Sequence, residues 1–226
     1  MRSQVLWYSA RAAGIVAWTL AAAAVIWGLV VSTRAVTPRP RPAWWFDLHR
    51  FLGGAAVVFT GIHVVSILFD SYVHFGPVNV LVPLTGSWHP VAVAWGIVAM
   101  YLLLAVEITS LLRSRLPKRA WRAVHFATFG LYAIATVHAF AAGTDAWSLA
   151  FIGAATLSLV AVGGLTLLRV WQTSERRPAS RRTQSRDDRP AASSAVRATT
   201  YPTRPAAHSP TPATKTMTSP RRTFVP

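Results

Sequence analysis

Four histidines are the residues of this 226-residue chain best suited to chemistry. His49 and His63 lie fourteen positions apart in one long apolar run, and His125 and His138 lie thirteen apart in another. An imidazole inside a membrane is costly without a partner, and neutral imidazole is a good ligand for redox metals. Cysteine is absent, which removes disulfides, covalently attached c-type haem, thiolate iron–sulfur clusters and thiolate zinc sites. Histidine is the one strong ligand left in quantity.

Taken singly, each of these residues reads as an interhelical hydrogen-bonder, facing a backbone carbonyl or a threonine. As a set they ask for a common explanation. At about 1.5 Å per residue the two spacings correspond to roughly 21 and roughly 20 Å of helix. On two parallel helices the four rings therefore fall at two matched depths, His49 with His125 and His63 with His138. Rings roughly 20 Å apart cannot share a zinc or copper ion whose bonds are about 2 Å long. Two rings at one depth, one from each helix, suit the two axial positions of a haem, so two haems are expected. The phase leaves a question open. Fourteen residues is close to four turns of about 3.6, but thirteen rotates His138 well away from His125. Either the second helix is distorted, with Gly130 a candidate place, or its rings are approached from different azimuths.

The elements that carry these residues follow from composition. The chain is 53% hydrophobic with a mean hydropathy of +0.38, yet its formal charge is +16. The two properties occupy different parts of the sequence. Five uncharged or nearly uncharged runs are long enough to cross a bilayer, which takes about 20 residues. They span residues 12–33, 44–69, 90–112, 123–143 and 146–168. The first is too long for the apolar core of a signal peptide and is expected to be a membrane helix. Prolines and arginines in VTPRPRP (36–42) break the chain after it, and Trp44, Trp45 and Phe46 form an interfacial aromatic belt. Between the second and third crossings, glycines and prolines punctuate an apolar stretch that reads as an ordered loop with a short interfacial or re-entrant piece.

Arginine and lysine sit after the first, third and fifth crossings, and the loops after the second and fourth carry Asp70 and Asp145 instead. The positive-inside rule then places the N-terminus outside and the C-terminus in the cytoplasm of a cell-membrane protein. From Gln172 onward the chain holds eleven Lys/Arg against three acidic residues, with many prolines. It is expected to be a disordered tail that can lie on anionic lipid. The fold class expected is all-α: a polytopic bundle of about five transmembrane helices over residues 1–171, followed by a tail over 172–226. Topology explains the basic balance better than nucleic acid does.

The segments LHRFLGGAAVVFTGIH (48–63) and WRAVHFATFGLYAIATVH (121–138) resemble the ferric-reductase-like transmembrane domain family. That domain is shared by ferric reductases, NADPH oxidases and the haem subunit of bacterial methionine sulfoxide reductase systems. The resemblance covers roughly residues 45–170. It implies two b-type haems, His49 paired with His125 on the cytoplasmic side and His63 with His138 on the outer side. It also implies a reductase role toward an outer acceptor. Relatives often have six helices where five are counted here. The chain also has no glycine-rich phosphate loop or flavin-sized domain, so a separate flavoprotein, quinone or other redox partner is expected to supply or accept electrons.

Other residues stand near these sites in sequence. Arg50 and Arg122 adjoin the inner histidines and suit haem propionates; positive-inside topology is the other reading, and for Arg122 in its basic turn the two weigh equally. Trp121 either packs on the haem edge or marks the interface. His74 and His89 read as surface residues of the outer loop, with a metal or substrate near the outer haem as the alternative. Glu107 is expected to pair with Arg113 or reach the interface, a proton relay being the weaker option. No catalytic side chain is singled out. The reading is a transmembrane di-haem electron conduit. Its alternatives are a haem-free membrane scaffold or transport-associated subunit, and a quinone-linked cytochrome b.

Overall fold

The computed structural model describes residues 2–33, 42–70 and 75–174. Most of VTPRPRP, His74 and the tail from residue 175 lie outside the described residues. The described residues form six helices: α1 (Arg2–Ser32), α2 (Trp44–Phe69), α3 (Pro77–Leu81), α4 (Pro90–Leu111), α5 (Lys118–Ala142) and α6 (Leu149–Ser174). All except α3 are long and apolar enough to cross a membrane.

Several helix boundaries differ from the sequence expectation. α1 starts ten residues before Ala12. Arg11 does not break it, because Asp145, from the loop before α6, takes the guanidinium through Nε–Oδ2 at 2.8 Å and through Nη2–Oδ1. α5 starts at Lys118, directly after Pro117, a residue tolerated at a helix start but not within one. Arg119, Trp121 and Arg122 are therefore helical rather than part of a loop. α6 runs to Ser174, three residues past the expected end of the membrane region.

The segment between α2 and α4 is ordered by its own polar side chains. Gly76 N–H donates to Asn79 Oδ1, and Asn79 Nδ2 donates to the Thr85 carbonyl, both at 3.0 Å. Tyr101 of α4 donates its hydroxyl to the Leu81 carbonyl at 2.6 Å. α3 is the short helical piece of this loop, and His89 (φ 40°) ends the loop in the left-handed region just before Pro90.

The bundle packs as two close pairs, α1 with α2 and α4 with α5, with α1 also touching α5 and α6 and α2 touching α4. In a membrane the attraction between helices comes from close packing and interhelical hydrogen bonds. Both are visible. Ala56 of α2 is fully buried against Ala99 and Leu103 of α4 and Leu131 of α5. Trp18 Nε1 donates to Thr136 Oγ1 at 3.0 Å, and Tyr132 and Ser158 share a hydroxyl hydrogen bond at 2.7 Å. Leu149, Leu157, Leu167 and Trp147 are exposed outward, as lipid permits and water does not.

Candidate functional site

α2 and α5 bring the four histidines together in the two pairs that their spacing predicts. The ring centroids of His49 and His125 are 6.0 Å apart, and those of His63 and His138 are 6.5 Å apart. Ala56 lies seven residues from each α2 histidine, and with Leu131 it forms an apolar plug between the two levels. One level sits at the end of the bundle that carries Arg113, Arg115, Lys118 and Arg119, here called the basic end. The other sits at the acidic end, with Asp70 and Asp145.

At the acidic end both histidines have a defined tautomer. His63 Nδ1 lies 2.7 Å from the Ala10 carbonyl of α1, and His138 Nδ1 lies 2.7 Å from the Ala92 carbonyl of α4. A carbonyl only accepts, so each Nδ1 carries the proton and each Nε2 keeps its lone pair. That is the state in which imidazole binds a metal. A cavity of about 260 Å³ reaches both rings and also touches Arg11, Asp70 and Asp145. Asp70 is buried, and its Oδ1 has no hydrogen-bond partner.

At the basic end the surroundings differ. The Ala24 carbonyl approaches His49, but Nδ1 of His49 and Nδ1 of His125 are both buried without a hydrogen-bond partner. His125 stacks on Trp121 at 5.0 Å and 23°. The guanidinium of Arg113 lies 5.6 Å from the Trp121 ring, so Arg113, not Arg122, is the arginine that touches this aromatic wall. Arg50 and Arg122 are exposed. Glu107 does not pair with Arg113: its carboxylate lies against Gly53 of α2, under the influence of Arg50. Trp121 therefore joins the site through its contact with His125, while Arg50 and Arg122 flank it.

The donor sets fit a particular kind of metal centre. Among the described residues no group of three or more His, Cys, Asp or Glu side chains converges on one point. A zinc site built by protein takes three or four such ligands. Two rings alone suit a metal whose remaining positions are filled by its own macrocycle. Two imidazoles binding one metal from opposite sides through bonds of about 2.0–2.1 Å hold their centroids roughly 6.3 Å apart. The observed 6.0 and 6.5 Å bracket that value. The phase question resolves as well. α5 is an unbroken helix through Gly130, and its two rings have different walls, α4 behind His138 and Trp121 beside His125.

The sequence reading passed over the surfaces behind the rings. A methyl group at Gly96 would lie 2.6 Å from His138 Cε1, one at Gly14 2.9 Å from His63 Nδ1, and one at Gly28 3.1 Å from His49 Cε1. A signal for two of these was present: Gly14 and Gly28 are fourteen residues apart, as His49 and His63 are. No protein-family model, characterised protein or solved structure matches the chain. The likeness to the ferric-reductase-like domain rests on the two histidine-bearing segments alone.

Proposed function

We propose that this chain is a transmembrane di-haem b-type cytochrome that moves electrons across the membrane, with donor and acceptor carried by separate partners. The observation that supports it is the pair of His–His distances, 6.0 and 6.5 Å, at two depths of one bundle. When bound, each haem supplies an iron that takes up and returns one electron, and two levels make a route across the bilayer. Four residues would hold the two haems, His49 with His125 at one level and His63 with His138 at the other. The carbonyls of Ala10 and Ala92 hold the ligand nitrogens of the acidic-end pair toward the gap. The plug of Ala56 and Leu131 keeps the space between the levels dry. Arg50, Arg113 and Arg122 give the basic end the charge to hold propionates and to receive an acidic redox partner. This end is the cytoplasmic one by the positive-inside rule.

The test is a reduced-minus-oxidised absorption spectrum of the purified protein, with haem counted by pyridine hemochrome. Two b-type haems per chain are expected, falling to one in His63→Ala and one in His138→Ala. A well-folded wild type without haem overturns the reading.

One observation favours a quinone-linked form of the same cytochrome. Ser110 Oγ, Trp121 Nε1 and His125 Nδ1 at the basic end are buried without partners, and each can donate a hydrogen bond to a quinone carbonyl. Reduction of the haems by a soluble quinol analogue, lost in a Ser110→Ala/Trp121→Phe double variant, is the expected result for that form.

A further inference from the structure

Three of the four histidines lie against the same pairing of small residues on a neighbouring helix. On α1, Ala10 and Gly14 face His63, and Ala24 and Gly28 face His49. The two pairs are fourteen residues apart, the spacing of the histidines themselves. On α4, Ala92 and Gly96 face His138. In each case the alanine presents its carbonyl to the ring, and the glycine four residues later leaves the space that the ring fills. The contacts are tight enough that glycine is needed: the gaps left for a methyl group are 2.9 Å at Gly14 and 2.6 Å at Gly96.

His125 is the exception. Among the described contacts no alanine carbonyl and no glycine on a neighbouring helix lies against its ring. His125 packs on Trp121 instead, and its Nδ1 has no partner.

We propose that these alanine-carbonyl and glycine pairs are positioning residues that make the two haem levels electronically unequal, the His63–His138 level having the lower midpoint potential. The proposal rests on the di-haem reading above. At that level both ligands donate Nδ1–H to a carbonyl at 2.7 Å; at the His49–His125 level the Ala24 carbonyl approaches His49 without closing such a bond to its Nδ1, and His125 Nδ1 has no partner at all. Such a hydrogen bond makes the imidazole a more basic ligand. A more basic axial ligand stabilises ferric over ferrous iron, which lowers the potential. At equilibrium a single electron then rests at the basic end, and the acidic end is the stronger reductant toward whatever it meets.

The experiment is a potentiometric titration of the purified two-haem protein, followed by its absorption spectrum. The wild type is expected to show two waves, and His63→Ala, with one haem left by pyridine hemochrome, is expected to lack the lower one. Gly96→Ala and Gly14→Ala, which push a ring off its carbonyl, are expected to raise the lower wave and leave the upper unchanged. Gly61→Ala and Gly130→Ala, where an added methyl meets nothing within 4 Å, are expected to move neither. Loss of the upper wave in His63→Ala, one unresolved two-electron wave in the wild type, or a lower wave unmoved in both glycine variants with two haems retained overturns the proposal. Should a glycine variant lose its haem, the wave lost in His63→Ala still decides. Absence of haem from the wild type counts against the di-haem reading itself.

Discussion

His138 of α5 gives its Nδ1 proton to the carbonyl of Ala92, a helix away on α4, at 2.7 Å. That carbonyl is three residues from the N-terminal end of α4's hydrogen-bond ladder, and it now serves a ring as well as its own helix. The arrangement joins α4 and α5 with one hydrogen bond and sets the ring's tautomer with the same contact. Its counterpart between His63 and Ala10 does this for α2 and α1. The closest helix pairs of the bundle are thus the pairs that share a histidine.

Because each proposed haem needs two rings, removal of either ring of a pair is expected to have the effect of removing both. His63→Ala/His138→Ala should keep one haem, like each single variant, whereas His49→Ala/His63→Ala should keep none. Haem per chain by pyridine hemochrome checks this. Retention of one haem in the second double variant contradicts the pairing.

Ala56 is fully buried where α2, α4 and α5 meet. Ala56→Leu forces three methylene-sized groups into a filled space, and overpacking of this kind costs about 1–3 kcal/mol. A lower thermal unfolding temperature in detergent and reduced haem at both levels are expected. Val58→Leu, on an exposed part of the same helix, should change neither.

Arg11 and Asp145 are each about a third exposed, at 31% and 38%, and an exposed pair of this kind couples by about 0.2–1 kcal/mol. Arg11→Ala and Asp145→Ala are each expected to be modestly destabilised. The double variant should lose less than the sum of the two, measured as a double-mutant cycle on thermal unfolding. Strict additivity would mean that the contact contributes nothing.

The absence of cysteine makes topology directly testable. A single cysteine placed at Thr144, at the acidic end, should react with a membrane-impermeant maleimide added to intact cells. One placed at Ser114, at the basic end, should react only after the membrane is opened. Both positions are exposed. The reverse pattern would invert the bundle and with it the direction of the proposed electron path.

Much of this was legible in residue order alone. The five membrane helices, the two-by-two grouping of His49, His63, His125 and His138, and the ordered loop before Pro90 follow from run length, spacing and punctuation, all local properties. The contacts of Arg11 and Glu107 were not legible. Asp145 is 134 positions from Arg11, and Glu107 turned to Gly53 rather than to the nearer Arg113 because α2 packs beside it.

What the sequence by itself determined is the number of crossings and the depth of each histidine, since helix rise converts residue counts into length without reference to any neighbour. The tertiary structure alone decided what stands behind each ring. The fourteen-residue spacing of Gly14 and Gly28 repeats that of His49 and His63, but nothing in residue order says that the two sets meet. An alanine carbonyl or a glycine becomes a partner for His63 or His138 only when another helix is laid against it at one register. The same packing left His125 against Trp121 of its own helix.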